Sequence, residues 1–168
     1  MALTAAERED FINRYEQGPA LLRGALEKAP REAQKWRPAE NKWSIHEIVC
    51  HCADSETNAA MRIRYLVAEE KPVIQGYDQD HWAKTFVYHG ANLYTALGVV
   101  ESVRALTTDL LRRLPGGAWL SVGNHTESGP YTMDDWLKVY AEHLEKHSRQ
   151  IERNLSAWQA EETRPTRP

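Results

Sequence analysis

The stretch that decides the fold of this chain is Ala141-Glu142-His143-Leu144-Glu145-Lys146-His147. It lies within residues 132–158, where large apolar residues recur at helical spacing, and this pattern predicts an amphipathic helix. His143 and His147 are four residues apart, so they share the helix face that carries Tyr140 and points into the protein. Two inward imidazoles at this spacing supply half of a metal site, because both rings can converge on one ion.

The length and composition are those of an ordinary globular chain. Its 168 residues are 42% hydrophobic and 27% charged, which predicts a single domain over residues 1–160. Residues 161–168 are charged and proline-rich, and we expect a flexible C-terminal tail there. A domain of this size buries enough surface to fold without a disulfide or a structural metal, so a bound metal would serve chemistry.

The net charge and the two cysteines limit which binding partners and which cellular location the sequence predicts. A formal net charge of -3 gives no basic surface for nucleic acid or for an anionic membrane. The N-terminus has no apolar signal-peptide core, and no run approaches the ~20 apolar residues of a membrane span. Cys50 and Cys52, two residues apart on a helix, cannot pair with each other. A reduced, cytoplasmic setting is therefore expected.

Capping motifs mark the starts of the long helices. Thr4-Ala5-Ala6-Glu7 and Ser44-Ile45-His46-Glu47 have the form of capping boxes, and Thr132 opens the helix of residues 132–158 in the same manner. Another periodic segment spans residues 93–114. Gly18-Pro19 interrupts the first helix, and we expect a kink or a break there because proline lacks a backbone N–H.

Four long helices without a strand-period segment predict an all-α four-helix bundle. Residues 29–42, 70–91 and 119–131 are predicted to be loops, with a short helix around Gln79–Ala83. The long connections 29–42 and 70–91 indicate that not every successive pair of helices forms a tight antiparallel hairpin. A connection as long as 70–91 often lies over a functional site.

The second helix offers a third histidine. His51 lies on the inner edge of its apolar stripe, with Asp54 and Arg62 further along the same side. Charged residues on a core-facing strip are costly to bury unless they satisfy each other or a ligand. Asp54 is equally consistent with an acceptor that orients a ligand imidazole and with a buried partner of Arg62. His46, near the start of this helix, is expected to be solvated.

A bundle in which the second and fourth helices face each other would bring three histidines together. Three neutral imidazoles leave a coordination position open, the pattern of catalytic rather than structural zinc, although imidazole also suits nickel, iron and copper. The open position could lower the pKa of a water to about 7 or hold a thiol as thiolate. His125, in the loop 119–131, is either a mobile loop residue or a group at the mouth of the pocket that donates to substrate.

The segment Trp43–Glu56, WSIHEIVCHCADSE, resembles the W-S/T-x6-H-x-x-D-S segment of the DinB superfamily, particularly its YfiT-like members. The similarity continues through nearly the whole chain, at Arg62, Pro72, Ile74, Tyr77, Asp78, Trp82-Ala83, His125, Gly129 and the series Tyr140-Ala141, His143, His147 and Ile151. The YfiT-like pattern has further histidines where this chain has Cys50 and Lys146, and we treat these two residues as non-ligands.

The resemblance implies a four-helix bundle with crossover connections and a divalent metal, zinc or nickel, held by His51, His143 and His147. It also implies a metal-dependent transferase that joins a low-molecular-weight thiol to an electrophile, or a metal-dependent hydrolase. In the hydrolase form we expect metal-bound water to attack, with Asp54 or His125 handling protons. A third hypothesis is a non-enzymatic metal-binding stress-response module. The substrate is expected to be a small molecule. The sequence is also compatible with a homodimer, because helix bundles often pair.

Overall fold

The computed structural model describes residues 2–164 and contains four long helices, as the sequence predicts. Two short α-helices, two 3-10 helices and three short strands occupy the connections between them. The helices are α1 (Ala5–Glu27), α2 (Arg31–Gln34), α3 (Ile45–Ala68), α4 (Gln79–Thr85), α5 (Leu93–Arg113) and α6 (Met133–Glu162), and the strands are β1 (Val73–Ile74), β2 (Val122–His125) and β3 (Gly129–Thr132). The predicted tail starts within the last turn of α6, and residues 165–168 lie outside the described part of the chain.

The predicted capping boxes start three of the long helices. Thr4, Ser44 and Thr132 each accept a hydrogen bond from the backbone N–H three residues on, and the acidic side chain there bonds back to the cap. Asn92 caps α5 by accepting from the N–H of Thr95. These reciprocal bonds satisfy donors that a helix leaves free at its start, and each such cap stabilises a helix by about 1 kcal/mol.

The four long helices form a bundle in which successive helices are not hairpins. α1 runs parallel to α6, as the ion pairs Arg8–Asp134 and Lys28–Glu152 show at opposite ends. α3 runs antiparallel to α6, since Trp136 bonds the carbonyl of Ala59 while Asn154 bonds that of Trp43.

α1 runs antiparallel to α5, because Arg23 pairs with Glu101 and Arg112 pairs with Glu16. With α1 parallel to α6 and α6 antiparallel to α3, the neighbouring helices α3 and α5 must be parallel. Parallel neighbours require a chain that returns along the bundle, and residues 69–92 supply this long connection. The expectation that not all successive helices form hairpins is confirmed.

Two apolar clusters fill the bundle, one at each end of α3. Ile48, Cys52 and their neighbours belong to the first, which also includes Leu22 and Leu144. Ala59, Ile63 and Leu66 belong to the second, which is built around Tyr15 and Trp136. The buried polar residues His51, Ser55 and Glu56 lie on α3 next to the junction between the clusters. The candidate site therefore lies midway along the bundle.

The segment 119–131, predicted as a loop, instead contains a hairpin. β2 pairs antiparallel with β3 and parallel with β1, which makes a small three-stranded sheet in the order β1-β2-β3. Strands of two to four residues are too short to show a period-two pattern, which is why the sequence did not reveal them. Gly123 lets the sheet approach α3, because a Cβ there would lie 2.9 Å from Leu66 Cδ2.

Two other expectations concern Gly18-Pro19 and His46, and the expectation for His46 is wrong. α1 continues without a break through Gly18 and Pro19. His46, expected to be solvated, is buried, and its Nε2 lies 3.1 Å from the carbonyl oxygen of Ala91. The predicted helix around Gln79–Ala83 is confirmed as α4. Within residues 2–164, none of the helices is long and apolar enough to cross a membrane.

Candidate metal centre

Three histidines converge where α3 faces α6. His51 projects from α3 and His143 and His147 from α6, and one ring nitrogen of each lies within 4.8 Å of the other two. The Nε2 atoms of His51 and His143 are 3.3 Å apart. The i, i+4 spacing on α6 places His143 and His147 one above the other, with ring centroids 4.6 Å apart. The predicted candidate ligands are thus brought together.

Burial keeps the imidazoles of His51 and His147 neutral, and hydrogen bonds orient those of His143 and His147. Burial, reinforced by the other histidines of the cluster, lowers the pKa of His51 to about 2. Burial and neighbouring His143 lower the pKa of His147 to about 4. His143 Nδ1 lies 2.9 Å from Glu56 Oε1, and His147 Nδ1 lies 2.9 Å from the side-chain oxygen of Gln150. With Nδ1 donating to these oxygens, Nε2 of both rings keeps a free lone pair.

This donor set fits a divalent cation. Lone pairs on facing nitrogens attract a metal, and His51 Nδ1 is a buried ring nitrogen without a hydrogen-bond partner in the described structure. Neutral imidazoles serve zinc, nickel, iron and copper alike, so the donor type alone does not select one of them. The three histidines and the acceptors behind two of them have the features of a metal site that retains an open position.

Glu56, which orients His143, belongs to a buried ion pair. Its side chain is 0% exposed and that of Arg104 is 1% exposed. Arg104 Nε lies 2.6 Å from Oε2 of Glu56, and Nη2 lies 2.7 Å from Oε1. Burial would raise the pKa of Glu56, but Arg104 and His143 together lower it below its ordinary value. The carboxylate therefore stays charged behind the histidine.

The Gly18-Pro19 pair in α1 makes room for Arg104. Pro19 has no N–H to donate to the carbonyl of Tyr15 four residues earlier, and Arg104 Nη1 donates to that carbonyl instead, at 2.6 Å. A Cβ on Gly18 would lie 3.2 Å from Arg104 Nη1 and 3.0 Å from Leu144 Cβ. Arg104 Nη2 also donates to the carbonyl of Tyr140 at 2.7 Å. The feature that the sequence marked as a helix breaker therefore helps hold the arginine behind the site.

The other side of the cluster opens into a polar pocket of about 330 Å³. α3 and α6 form its floor, while the connection 69–92 and the β2–β3 hairpin form its rim. The lining residues are His51, Ser55, Arg62, Gly76, Tyr77, Gln79, His125, Glu127, Val139, Tyr140, His143 and His147. The prediction that the long connection covers a functional site agrees with this position.

The two predicted catalytic residues lie in different places. His125 lines the histidine pocket, where its Nδ1 accepts the backbone N–H of Glu127 at 3.2 Å. Asp54 lines a separate pocket beside Cys50 and accepts a hydrogen bond of 2.6 Å from the hydroxyl of Tyr88. The carboxylate on His143 is Glu56 rather than Asp54, and Arg62 bonds Tyr140 and Gln75 rather than Asp54.

Glu56 and Arg104 were not among the site residues predicted from the sequence. A signal was present, because each residue occupies a position in the apolar stripe of its helix. Glu56 falls between Cys52 and Ala59 on α3, and Arg104 falls between Val100 and Leu111 on α5. A carboxylate and a guanidinium in facing core stripes indicate a buried pair, since neither is stable there alone.

Comparison with known proteins identifies relatives along most of the chain. A family model described as the DinB superfamily matches residues 14–151. The Oceanobacillus iheyensis protein named "Putative metal-dependent hydrolase OB0782" is 28% identical over 82% of this chain and 80% of its own length. The Bacillus subtilis protein named "Putative metal-dependent hydrolase YfiT" is 24% identical over 87% of this chain and 83% of its own length.

A solved structure shares the fold. It is described as YfiT from Bacillus subtilis, a probable metal-dependent hydrolase with an unusual four-helix bundle topology, and it superposes with a TM-score of 0.87 at 23% sequence identity. The match covers 94% of this chain and 91% of that one. The similarity supports the four-helix arrangement with parallel neighbouring helices.

Proposed function

The chain belongs to the DinB superfamily, and on this premise we propose that it is a metal-dependent enzyme that activates a low-molecular-weight thiol for transfer to an electrophile. The observation that carries the proposal is the convergence of His51, His143 and His147 at the floor of an open, polar pocket. A divalent ion held by these imidazoles, zinc or nickel, would supply a Lewis acid that stabilises the anionic form of a bound thiol or water.

The protein's own thiols are unsuited to act as the nucleophile. Cys50 and Cys52 are both buried. Burial, with Asp54 nearby, raises the pKa of Cys50 to about 12, and burial raises the pKa of Cys52 as well. The reactive form of a thiol is the thiolate. A thiol-dependent reaction in this pocket would therefore draw its thiol from a small molecule.

Other side chains of the pocket supply hydrogen bonds to the reactants. Because His125 Nδ1 accepts from a backbone N–H, its Nε2 carries the proton and can donate a hydrogen bond to the substrate. Burial raises the pKa of Tyr140 to about 12, so its hydroxyl stays protonated while it accepts from Arg62. We propose His125, rather than Asp54, as the hydrogen-bond donor to the substrate, since His125 lines this pocket and Asp54 lines another.

Hydrolysis is the second candidate, because the pocket carries a histidine and a carboxylate that could move protons to and from water. These are His125 and Glu127. The two relatives are named metal-dependent hydrolases, and this name of theirs also favours hydrolysis.

A two-substrate assay separates the candidates. The protein would be reconstituted with zinc or nickel and given 1-chloro-2,4-dinitrobenzene or a nitrophenyl ester, each with and without N-acetylcysteine. Turnover of the chloroarene that requires protein and thiol, and that disappears in His143→Ala, is expected. Ester turnover without thiol would favour hydrolysis instead. The absence of turnover in every combination, at full metal occupancy, would favour a non-enzymatic metal-binding module.

Two further properties stay predictions. The two cysteines are free in the described structure, which accords with a reducing, cytoplasmic setting. Cell fractionation would test the location. A homodimer remains a prediction from the general tendency of bundles to pair, and light scattering at several concentrations would test it.

A further inference from the structure

Arg62 brings a positive charge to the pocket without a carboxylate to neutralise it. Among the acidic residues in the described range 2–164, none forms an ion pair with its guanidinium, whose recorded partners are a hydroxyl and a carbonyl. Glu127 lines the same pocket but lies against the backbone of Gly76. The charge of Arg62 is therefore available to a ligand that enters beside the three histidines.

The guanidinium is held in position by neutral groups. Nη1 donates to the hydroxyl of Tyr140 at 2.9 Å, and Nη2 donates to the carbonyl of Gln75. The Tyr77 ring lies on one side, 5.7 Å from the guanidinium carbon to the ring centroid. Two of the five N–H donors of the arginine are thus used for orientation, and the buried Nε has no partner in the described structure. Neutral acceptors fix the group without cancelling its charge.

We propose that Arg62 receives the carboxylate of the small-molecule substrate, so that the pocket selects thiols that carry a carboxylate over neutral thiols. This inference rests on the proposed function. A guanidinium already fixed by the protein can bind an oxyanion with little loss of side-chain entropy, and its planar fork matches a carboxylate. A singly charged carboxylate suits the site better than a phosphate dianion, because Glu127 in the same pocket repels the dianion more strongly.

The test uses two thiols that differ in the carboxylate alone. N-acetylcysteine and N-acetylcysteinamide would each be titrated into zinc-reconstituted protein, with the dissociation constant measured by calorimetry. The wild-type protein is expected to bind the carboxylate form roughly tenfold more tightly, the effect of one hydrogen-bonded charge pair. In Arg62→Gln this preference should disappear. Because the preference of one protein is compared with that of the other, any intrinsic difference between the two thiols cancels.

Two variants control for unrelated effects. Arg64→Gln removes a guanidinium two residues along α3 that bonds the carbonyl of Ala60 and does not line the pocket, so it should keep the tenfold preference. Arg62→Lys keeps the charge but loses the fork, and an intermediate preference is expected. If Arg62→Gln fails to fold, a reduced preference in Arg62→Lys supports the inference and an unchanged preference overturns it.

The remaining outcomes separate this inference from the function on which it rests. Equal binding of the two thiols by the wild-type protein, or an equal preference in Arg62→Gln, overturns the role of Arg62 and leaves thiol transfer standing. If neither thiol binds, the thiol function fails. Sulfur-free N-acetylalanine and N-acetylalaninamide, compared by ligand-detected NMR, then decide about Arg62. An Arg62-dependent preference for the acid supports the inference, and its absence overturns it.

Discussion

Two arginines contact the surroundings of the histidine cluster from opposite sides, and their environments differ. Arg104 is 1% exposed and its charge is matched by Glu56, behind His143. Arg62 is half-buried on the pocket side, where the groups it bonds are neutral. Arginine thus serves two purposes in this protein. The charge of Arg104, matched by Glu56 in the core, stabilises the fold, whereas the unmatched charge of Arg62 beside the pocket is available to a ligand.

The difference extends to the backbone around each arginine. Arg104 uses its other donors on the main chain of α1 and α6, at Tyr15 and Tyr140. Together with its bonds to Glu56 on α3, these join α5 to the other three long helices. Arg62 bonds a side chain of α6 and the connection after β1. The side of the site that Arg104 contacts is therefore part of the folded core. The side that Arg62 contacts depends on the connection 69–92.

Removing Arg104 should have the largest effect. Arg104→Met leaves Glu56 charged and buried without its partner, which typically costs about 3–5 kcal/mol of the free energy of unfolding. Urea unfolding of metal-free protein would measure the loss. The double variant Glu56→Leu/Arg104→Met removes both charges and should recover much of it. A loss below about 1 kcal/mol in the single variant would show that the Glu56–Arg104 ion pair does not stabilise the fold, and would contradict the difference described between Arg104 and Arg62.

Neutralising Glu56 should weaken metal binding. Glu56→Gln removes the negative charge behind His143, and loss of such an acceptor typically lowers metal affinity by roughly 10- to 100-fold. Competition with a chelator of known zinc affinity would measure the change. Asp54→Asn is the matched control, since Asp54 bonds Tyr88 and none of the three histidines; its affinity should equal that of the wild type. Equal losses in both variants would contradict the role assigned to Glu56.

The histidines between the two arginines should make the metal-free protein sensitive to acid. Burial lowers the pKa of His51 to about 2 and that of His147 to about 4, below the ~6.5 of an unfolded histidine. Between these values the unfolded chain binds more protons, so stability falls as the pH falls below ~6.5. Each histidine contributes up to about 1.4 kcal/mol per pH unit, until the pH reaches its folded pKa.

The variant His51→Gln isolates one of these contributions. The free energy of unfolding of chelator-treated protein would be measured at several pH values between about 5.5 and 4.5, where the slope should be lower than in the wild type by up to about 1.4 kcal/mol per unit. Identical slopes in the two proteins would mean that His51 is not held neutral by its burial.

Removing Arg62 should cost little stability. Arg62→Gln loses two hydrogen bonds to neutral groups at the pocket surface and leaves no opposite charge unpaired, so a loss of about 1 kcal/mol is expected. Urea unfolding beside Arg104→Met would compare the two arginines directly. A loss as large as that of Arg104→Met would show that Arg62 is also a structural element.

The sequence was sufficient for the features that depend on local pattern. The capping boxes at Thr4, Ser44 and Thr132 placed three helix starts, and the helical spacing of His143 and His147 placed both rings on the inner face. These features follow from spacing within one helix. The four-helix bundle follows from the same periodicity.

The features that join distant segments could not be read in this way. The stripe positions of Glu56 and Arg104 indicate that each is buried. Their pairing with each other depends on α3 and α5 being parallel neighbours, which no local pattern encodes. Pro19 predicted a kink or a break, and α1 continues through it without a break, because the carbonyl that lacks a proline N–H accepts from Arg104 on α5. The short strands β2 and β3 form through pairing with each other and with β1 rather than through their own composition.

The central claim is that His51, His143 and His147 together hold one divalent ion. Elemental analysis of untagged protein after reconstitution with zinc, alongside His51→Ala and His143→Ala, tests it most directly, with circular dichroism to confirm that each variant is folded. About one ion per chain is expected in the wild type, with a large loss in both folded variants. No bound metal in the wild type, or equal metal content in all three proteins, would contradict it.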